Sequence, residues 1–583
     1  MTKRSLLTVI GTLIVCLLAY TQLWANSQQE FEGNFIYYVD RNSTASAPDG
    51  SSWQMAYPTV QTALGVAAMA GGPSEIWVAD GLYYPDEGVG QVDNERQSTF
   101  MLQNHVSLYG GFSGLGGDEE VSRDQRQPDV HLTILSGDLD QNDVPAPSGI
   151  ITNTQILTGS NSYHVVSSDN ITSAIDFDGF VVTAGLANGD LLDNAHIGGG
   201  MYNKVACVIN INNVVFSGNY ADSNGGGIYN ITNCAPQINH VTLQYNTAGS
   251  FGGGVFNSNF TAPTLQNVTF LANQAAIGGG IYSNSDVPIL NNTIFLGNRT
   301  TSHGGGMYNN GSHPQITNAL FAGNYSDGDG AAIYNNSSSP TLNHVTIASN
   351  YAGGIFSDGA MFNNFSGSLP TIENSLFYNN QDRTGLNTPE ASIKNGFSAT
   401  PVISYTLIAN SNGSGASWVS SLGSDGGNNL DVDPLFVESV AAVLAPTVAG
   451  NYRLAGNSPA NDQAYLLHCP ATDVVGNGRP SGAGCDLGAY EYQAFVFTVS
   501  LDVNNYEATF TWSETASGTY QVWRSDTAYT GFSLYQTPAN ATYIEVDDVD
   551  NVLQNHFYYL TDPNAGVTSQ EVGIFTFGLT LGE

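Results

Sequence analysis

From residue 198 onward the chain repeats itself about every 26 residues, and a repeat of that length decides much of what it can become. Copies of Gly198-Gly199-Gly200-Met201-Tyr202-Asn203 place apolar residues at Met201, Ile228, Val255, Ile281, Met307, Ile333 and Met361, at spacings of 27, 27, 26, 26, 26 and 28. A second series sets an apolar residue three positions ahead of an Asn, at Phe216/Asn219, Leu243/Asn246, Phe270/Asn273, Phe295/Asn298, Phe321/Asn324, Ile347/Asn350 and Phe377/Asn380. Pro recurs seven positions before that apolar residue, at Pro236, Pro263, Pro288, Pro314, Pro340 and Pro370.

Helical solenoids repeat at ~33 residues or more with Ala/Leu faces, whereas this unit is rich in Gly, Asn, Thr and β-branched residues. One such unit can wind once around three short strands, each pairing in parallel with its copy about 4.8 Å away. The expected fold is all-β, a right-handed parallel β-helix (a solenoid). Val, Ile and Phe point inward and stack. Asn at a fixed turn is expected to take the left-handed conformation and bond to its copies as a ladder. The glycines permit positive φ at a corner, and each Pro should open a strand after a turn. Members of the repeat read as scaffold, not chemistry.

The 583 residues exceed the roughly 250–300 that one compact core sustains, as a repeat architecture allows. The formal charge is 13 − 50 = −37, or −39 once Lys3 and Arg4 leave with a leader. So few cations exclude nucleic acid and anionic membrane surfaces as partners. Lys3-Arg4, the apolar run from Leu6 to Tyr20 and small Ala25 read as a signal peptide over residues 1–25. The run is shorter than the ~20 residues a spanning helix needs, so the mature chain has no expected transmembrane segment. It keeps Cys207, Cys234, Cys469 and Cys485. Cys207 and Cys234 stand one coil apart, which fits either a disulfide or a stack of buried thiols. A Cys469–Cys485 bridge would close a short loop and stabilise by about 3 kcal/mol.

The two ends depart from the repeat. Thr59 to Ala70 reads as an amphipathic helix with Val60, Ala63, Leu64 and Ala67 on one face, Pro58 before it and Gly71-Gly72 after it, suited to an N-terminal cap. The expected order is cap and first irregular coils over 26–150, regular coils over 151–437, a C-terminal cap region over 438–494 and a small β-sandwich over 495–583. In that last part, strand-like alternation runs through Phe495–Asp502, Glu507–Trp512, Thr519–Arg524, Tyr543–Val546 and His556–Thr561.

Several stretches are familiar. Tyr37-Tyr38-Val39-Asp40, Ser52-Trp53, Ile76-Trp77-Val78-Ala79-Asp80-Gly81 and Tyr109-Gly110-Gly111-Phe112 resemble the opening of bacterial secreted pectate-lyase-like β-helix proteins. The Gly-Gly and Phe-x-x-Asn marks resemble the repeats of chlamydial polymorphic outer-membrane proteins. Asn451-Tyr452-Arg453-Leu454, Gly476-Asn477-Gly478-Arg479-Pro480 and Cys485-Asp486-Leu487-Gly488 are similar to the end of choice-of-anchor Q domains. Trp512, Tyr520-Gln521-Val522-Trp523-Arg524 and Tyr558-Tyr559-Leu560 resemble a fibronectin type III module. These resemblances imply surface display and association with carbohydrate, across lyases, hydrolases and adhesins.

A lyase acting on polyuronates needs a base and cations beside the enolate. The regular coils hold only Lys204, Arg299, Arg383 and Lys394, and no two are one coil apart on one face. A glycosidase needs two carboxylates ~5 to 9.5 Å apart, for which Asp327 and Asp329 form the best local pair. His240 and His344 share a repeat position, His303 and His313 fall in turns, and no His pair suggests zinc. Asp138, Asp140 and Asp143 alternate along a loop as calcium ligands would, without the Gly and distal Glu of an EF-hand loop. The function expected is non-catalytic: a monomeric, secreted or cell-surface protein offering stacked Asn, Ser, Thr and Tyr to a polysaccharide or another surface. The competing reading is a polysaccharide lyase or glycoside hydrolase working in a groove along the coils.

Overall fold

A computed structural model describes residues 35–143, 148–355 and 358–493 in full and, by backbone alone, strands between 497 and 574. The leader read at residues 1–25 lies outside the described residues. The chain divides into two compact units, residues 1–268 with 273–275, and residues 269–272 with 276–583. In each, the coils form a parallel β-helix with three strand faces.

In the first unit, face 1 runs through Phe35–Val39, Ser74–Ala79, Val106–Phe112, Ile175–Asp178, Ile209–Asn212 and Gln237–Gln244, every pairing parallel. Face 2 holds two-residue strands such as Tyr220–Ala221 and Thr247–Ala248. Face 3 stacks Val166–Ser168, Met201–Asn203, Ile228–Ile231 and Val255–Ser258. Met201, Ile228 and Val255 lie in register and are fully buried, the interior column the spacing predicts.

The helix forms over Val60–Ala70. The Thr59 side chain accepts from the Thr62 amide at its start, and Gly71 ends it at φ 70°. Its four buried residues, Val60, Ala63, Leu64 and Ala67, are the four on the apolar face. It packs against Phe35–Val39 and Ser74–Ala79.

The second unit repeats the plan with face 1 strands Ile289–Leu296, Gln315–Ala322 and Thr341–Ala348, and face 3 strands from Ile281–Asn284 to Ile393–Asn395. Phe270, Phe295 and Phe321 are fully buried and stack with centroids 4.6 and 4.3 Å apart, nearly coplanar. Each repeated Pro stands one residue ahead of its strand, and the Thr341 N–H of the next coil donates to the Pro314 carbonyl at 3.0 Å.

The Asn ladder exists, but the expected backbone geometry falls elsewhere. The left-handed residue is the one before each ladder Asn: Gly218, Tyr245, Ala272, Gly297, Gly323, Ser349 and Asn379. The ladder Asn are buried and satisfy backbone groups as well as each other. Asn324 accepts from the amide and side chain of Asn298 and donates to Phe295 O at 2.9 Å and to Asn350 Oδ1 at 3.0 Å. Burying so many amides is tolerable because each finds partners. Of the three glycines leading face 3, the first has positive φ, as at Gly225 (67°). The next two are needed for closeness: a Cβ on Gly227 would stand 2.6 Å from the Gly254 carbonyl.

Of the stretch read as a C-terminal cap, 438–494, the described residues to 493 pack over the outer side of face 1 in the second unit. Leu320, Ala322 and Ala348 point outward there and are buried beneath Tyr452, Val474, Ala489 and Tyr490. Ala489 N–H donates to Thr346 Oγ1 at 2.9 Å, and Asn343 Nδ2 donates to His468 O at 2.8 Å. Cys469 and Cys485 stand with Cα atoms 6.3 Å apart in this segment, and Cys207 and Cys234 with Cα atoms 4.5 Å apart in adjacent coils. Both separations are within disulfide range.

Beyond it, Phe497–Asp502, Glu507–Trp512 and Thr542–Glu545 form one antiparallel sheet. Gln521–Ser525, Ser533–Gln536, His556–Asp562, Val567–Thr568 and Val572–Ile574 form another. No helix of the described residues is long and apolar enough to cross a membrane.

Candidate binding groove in the first unit

Face 1 of the first unit is covered in part by a loop of its own coils, and several of its outward side chains, Glu75, Trp77, Tyr109 and Asp178 among them, are buried. Its strands alternate, so Ile175 and Phe177 enter the core while Asp176 and Asp178 face outward. Pairing sets two outward rows side by side: Glu75, Ser107, Asp176, Asn210 and Gln237, then Trp77, Tyr109, Asp178, Asn212 and Asn239.

Over these rows lies the segment from 113 to 131. Its Ser122-Arg123-Asp124-Gln125 is a capping box closing a 3-10 turn. That turn aims Arg123 and Arg126, three residues apart, at one ring: their guanidinium carbons lie 4.7 and 5.4 Å from the Tyr109 centroid. Arg126 pairs with Asp178 at 2.6 Å, and Asn213 Nδ2 donates to the other Asp178 oxygen at 2.9 Å. Arg123 donates to the Tyr109 hydroxyl oxygen and stands 3.7 Å from Glu75. Tyr109 donates to Asp176 at 2.5 Å, and Asn210 Nδ2 donates to the other Asp176 oxygen at 2.9 Å. Burial, then the hydrogen bond to Asp176 and its charge, hold the Tyr109 phenol well above its ordinary pKa, so it stays a donor. Gly179 is required here, because a Cβ would meet Gly110 O at 2.7 Å and Arg126 at 2.8 Å.

The result is a cavity of about 340 Å³ over Tyr109, Asp176 and Asp178 beside a second of about 300 Å³ over Glu75, Ser107 and His105. Tyr109, Arg123 and Asp176 belong to both. Together they reach the size of a small-ligand site, with polar groups fixed in place by one another.

The residues proposed from sequence lie elsewhere. Asp327 takes the Tyr325 hydroxyl at 2.6 Å and faces Arg299 at 3.9 Å. Asp329 instead accepts from the Asp358 amide at 2.9 Å and lies 3.7 Å from His303 Nδ1. Burial raises the Asp329 carboxyl and lowers the His303 imidazole. The two aspartates thus serve separate partners.

Asp138 and Asp143 are buried beside a cavity of about 230 Å³ lined also by Tyr84 and Gln141. Their oxygens accept N–H groups: Asp138 those of Asn142 and Asp143, and Asp143 those of Thr158 and the Asn161 side chain. Asp140 accepts from Asn142 Nδ2 and Ser160 N through one oxygen. Among the described residues no group of three or more His, Cys, Asp or Glu is gathered as metal ligands. The donors around these carboxylates compete for the lone pairs that calcium would need.

Cations within the repeat do not reveal the groove, because Arg123 and Arg126 come from a non-repeating segment. A signal was present: the alternation Ile175-Asp176-Phe177-Asp178 puts two acids on the outer face of one strand.

Residues 213–231 match a family model, the Chlamydia polymorphic membrane protein (Chlamydia_PMP) repeat. Among solved structures, pectate lyase Pel9A is similar at 13% identity with a TM-score of 0.38, covering 79% of this chain and 97% of that chain. None of the curated proteins compared with the chain matches it.

Proposed function

We propose that the chain is a surface-displayed protein that binds a polysaccharide along the outer face of face 1 in the first unit, without cleaving it. The observation that carries this reading is the ordered polar surface around Tyr109: two arginines, Asp176, Asp178 and a run of amides, each held by a neighbour before any ligand arrives. Preorganised donors and acceptors suit sugar hydroxyls. The outward rows extend across Asn210, Asn212, Gln237 and Asn239, which fits a polymer better than a single ring. The polymorphic membrane protein repeat favours display at a bacterial surface. Residues 451–491 are read as a choice-of-anchor Q-like region and 495–583 as a fibronectin-like spacer.

A second reading has one observation in its favour. Glu75 and Asp176 share a register row two strands apart, so their Cα atoms stand about 9.6 Å apart, near the carboxylate range of inverting glycosidases. Both carboxylates already accept hydrogen bonds from neighbouring side chains, Glu75 from the Trp77 indole and Asp176 from Tyr109 and Asn210. Binding is therefore favoured over turnover.

The test is a panel of immobilised polysaccharides probed with the whole chain and with Arg123→Ala, while reducing ends and unsaturated products are assayed in parallel. Binding about tenfold weaker in the variant, without release of products, is expected. Unaltered binding by Arg123→Ala would refute the site. Depolymerisation abolished by Asp176→Asn would replace binding with catalysis.

A further inference from the structure

The groove carries more negative charge than a neutral sugar needs. Glu75, Asp124, Asp129, Asp176 and Asp178 line its two cavities against Arg123 and Arg126, five carboxylates to two guanidinium groups. Arg126 is committed to Asp178, and Arg123 lies over the Tyr109 ring nearest Glu75. Asp176 accepts from two neutral donors, Tyr109 and Asn210, and feels the Arg123 cation only across the Tyr109 hydroxyl, without a direct ion pair. Asp124 and Asp129 are exposed at the rim.

We propose that the groove selects a cationic saccharide, a polymer of amino sugars whose amines are free rather than acylated. The inference rests on the saccharide reading above and adds the charge of the ligand. An ammonium group held on a sugar ring meets Asp176 inside the cavity and Asp124 or Asp129 at its mouth, where charge-assisted hydrogen bonds replace its hydration. A uronate would bring a like charge to the same carboxylates. An N-acylated sugar would donate to the same carboxylates from neutral N–H and O–H groups and form no ion pair. The chain's net charge of −37 gives the long-range field the same sign preference.

The experiment titrates the whole chain with glucosamine oligomers of one length, deacetylated or fully N-acetylated, and with galacturonic acid oligomers, at low and high ionic strength. The deacetylated oligomer is expected to bind at least about tenfold more tightly than the acetylated one, with the preference shrinking in salt. Asp176→Asn should remove most of the preference. The exposed double change Asp124→Asn with Asp129→Asn, which touches no core group, should reduce it. Equal binding of both glucosamine forms would overturn the inference and leave the saccharide reading standing. If no oligomer binds, both fail, and capture of a lysine-rich peptide in their place would mark the groove as a protein-binding site.

Discussion

At the scale of single residues, buried polar groups in this protein are stable where partners surround them and responsive to pH where charge is crowded. The ladder amides belong to the first kind. Asp138 belongs to the second: burial, and then the charge of Asp143, raise its carboxyl to about 6, from about 4 in an unfolded chain. Asp143 moves in the same direction, chiefly through burial. A carboxyl whose folded pKa is raised holds its proton more tightly in the folded state. Its stabilising contribution is full below about pH 4 and is lost as the pH rises through about 6. Urea midpoints measured across that window should therefore fall for the native chain, and Asp138→Asn should flatten the fall. An identical slope in the variant would show that Asp138 does not govern it.

At the scale of elements, the regular strands were legible because the same residue types recur at one register, and parallel pairing of equal coils converts that recurrence directly into stacked columns. The helix over Val60–Ala70 was equally plain, with its apolar stripe and its end signals in agreement. The Asn conformation was misplaced by one residue because Asn tolerates positive φ, while the ladder required its side chain to be buried. What the repeat could not disclose is where one part of the chain covers another. Only a subtler sign was available: Ile294, Leu296, Leu320 and Ala322 make face 1 strands of the second unit apolar on both sides, as doubly covered strands are. Within the covering segment, Arg479 is buried against Glu491 at 3.2 Å and donates to Asp486 O at 3.0 Å and Gly488 O at 2.8 Å. Its Nη1 also lies 2.9 Å from His344 Nδ1, whose imidazole is held well below its ordinary pKa by burial and then by the Arg479 charge. Removing one member of such a pair strands the other charge. Arg479→Met should cost about 3–5 kcal/mol and open residues 438–493 to protease before the coils beneath them. A variant as stable and as protease-resistant as the parent would show that the segment is held by apolar packing alone.

At the scale of the whole molecule, the proposed site joins the irregular early coils to the first regular ones. Seven copies that share a few fixed register positions build the scaffold, while the two arginines of the groove come from the non-repeating segment 113–131 laid over the early coils. The acidic composition reappears in the groove as a local excess of carboxylates. The most direct test of the saccharide groove is hydrogen–deuterium exchange of the whole chain with and without the tightest-binding saccharide of the panel. Slower exchange at residues 105–129, 174–178 and 209–213 is predicted, with the covered strands Gln315–Ala322 and Thr341–Ala348 unchanged. Protection that appears elsewhere and spares those three segments, despite measurable binding, would contradict the account.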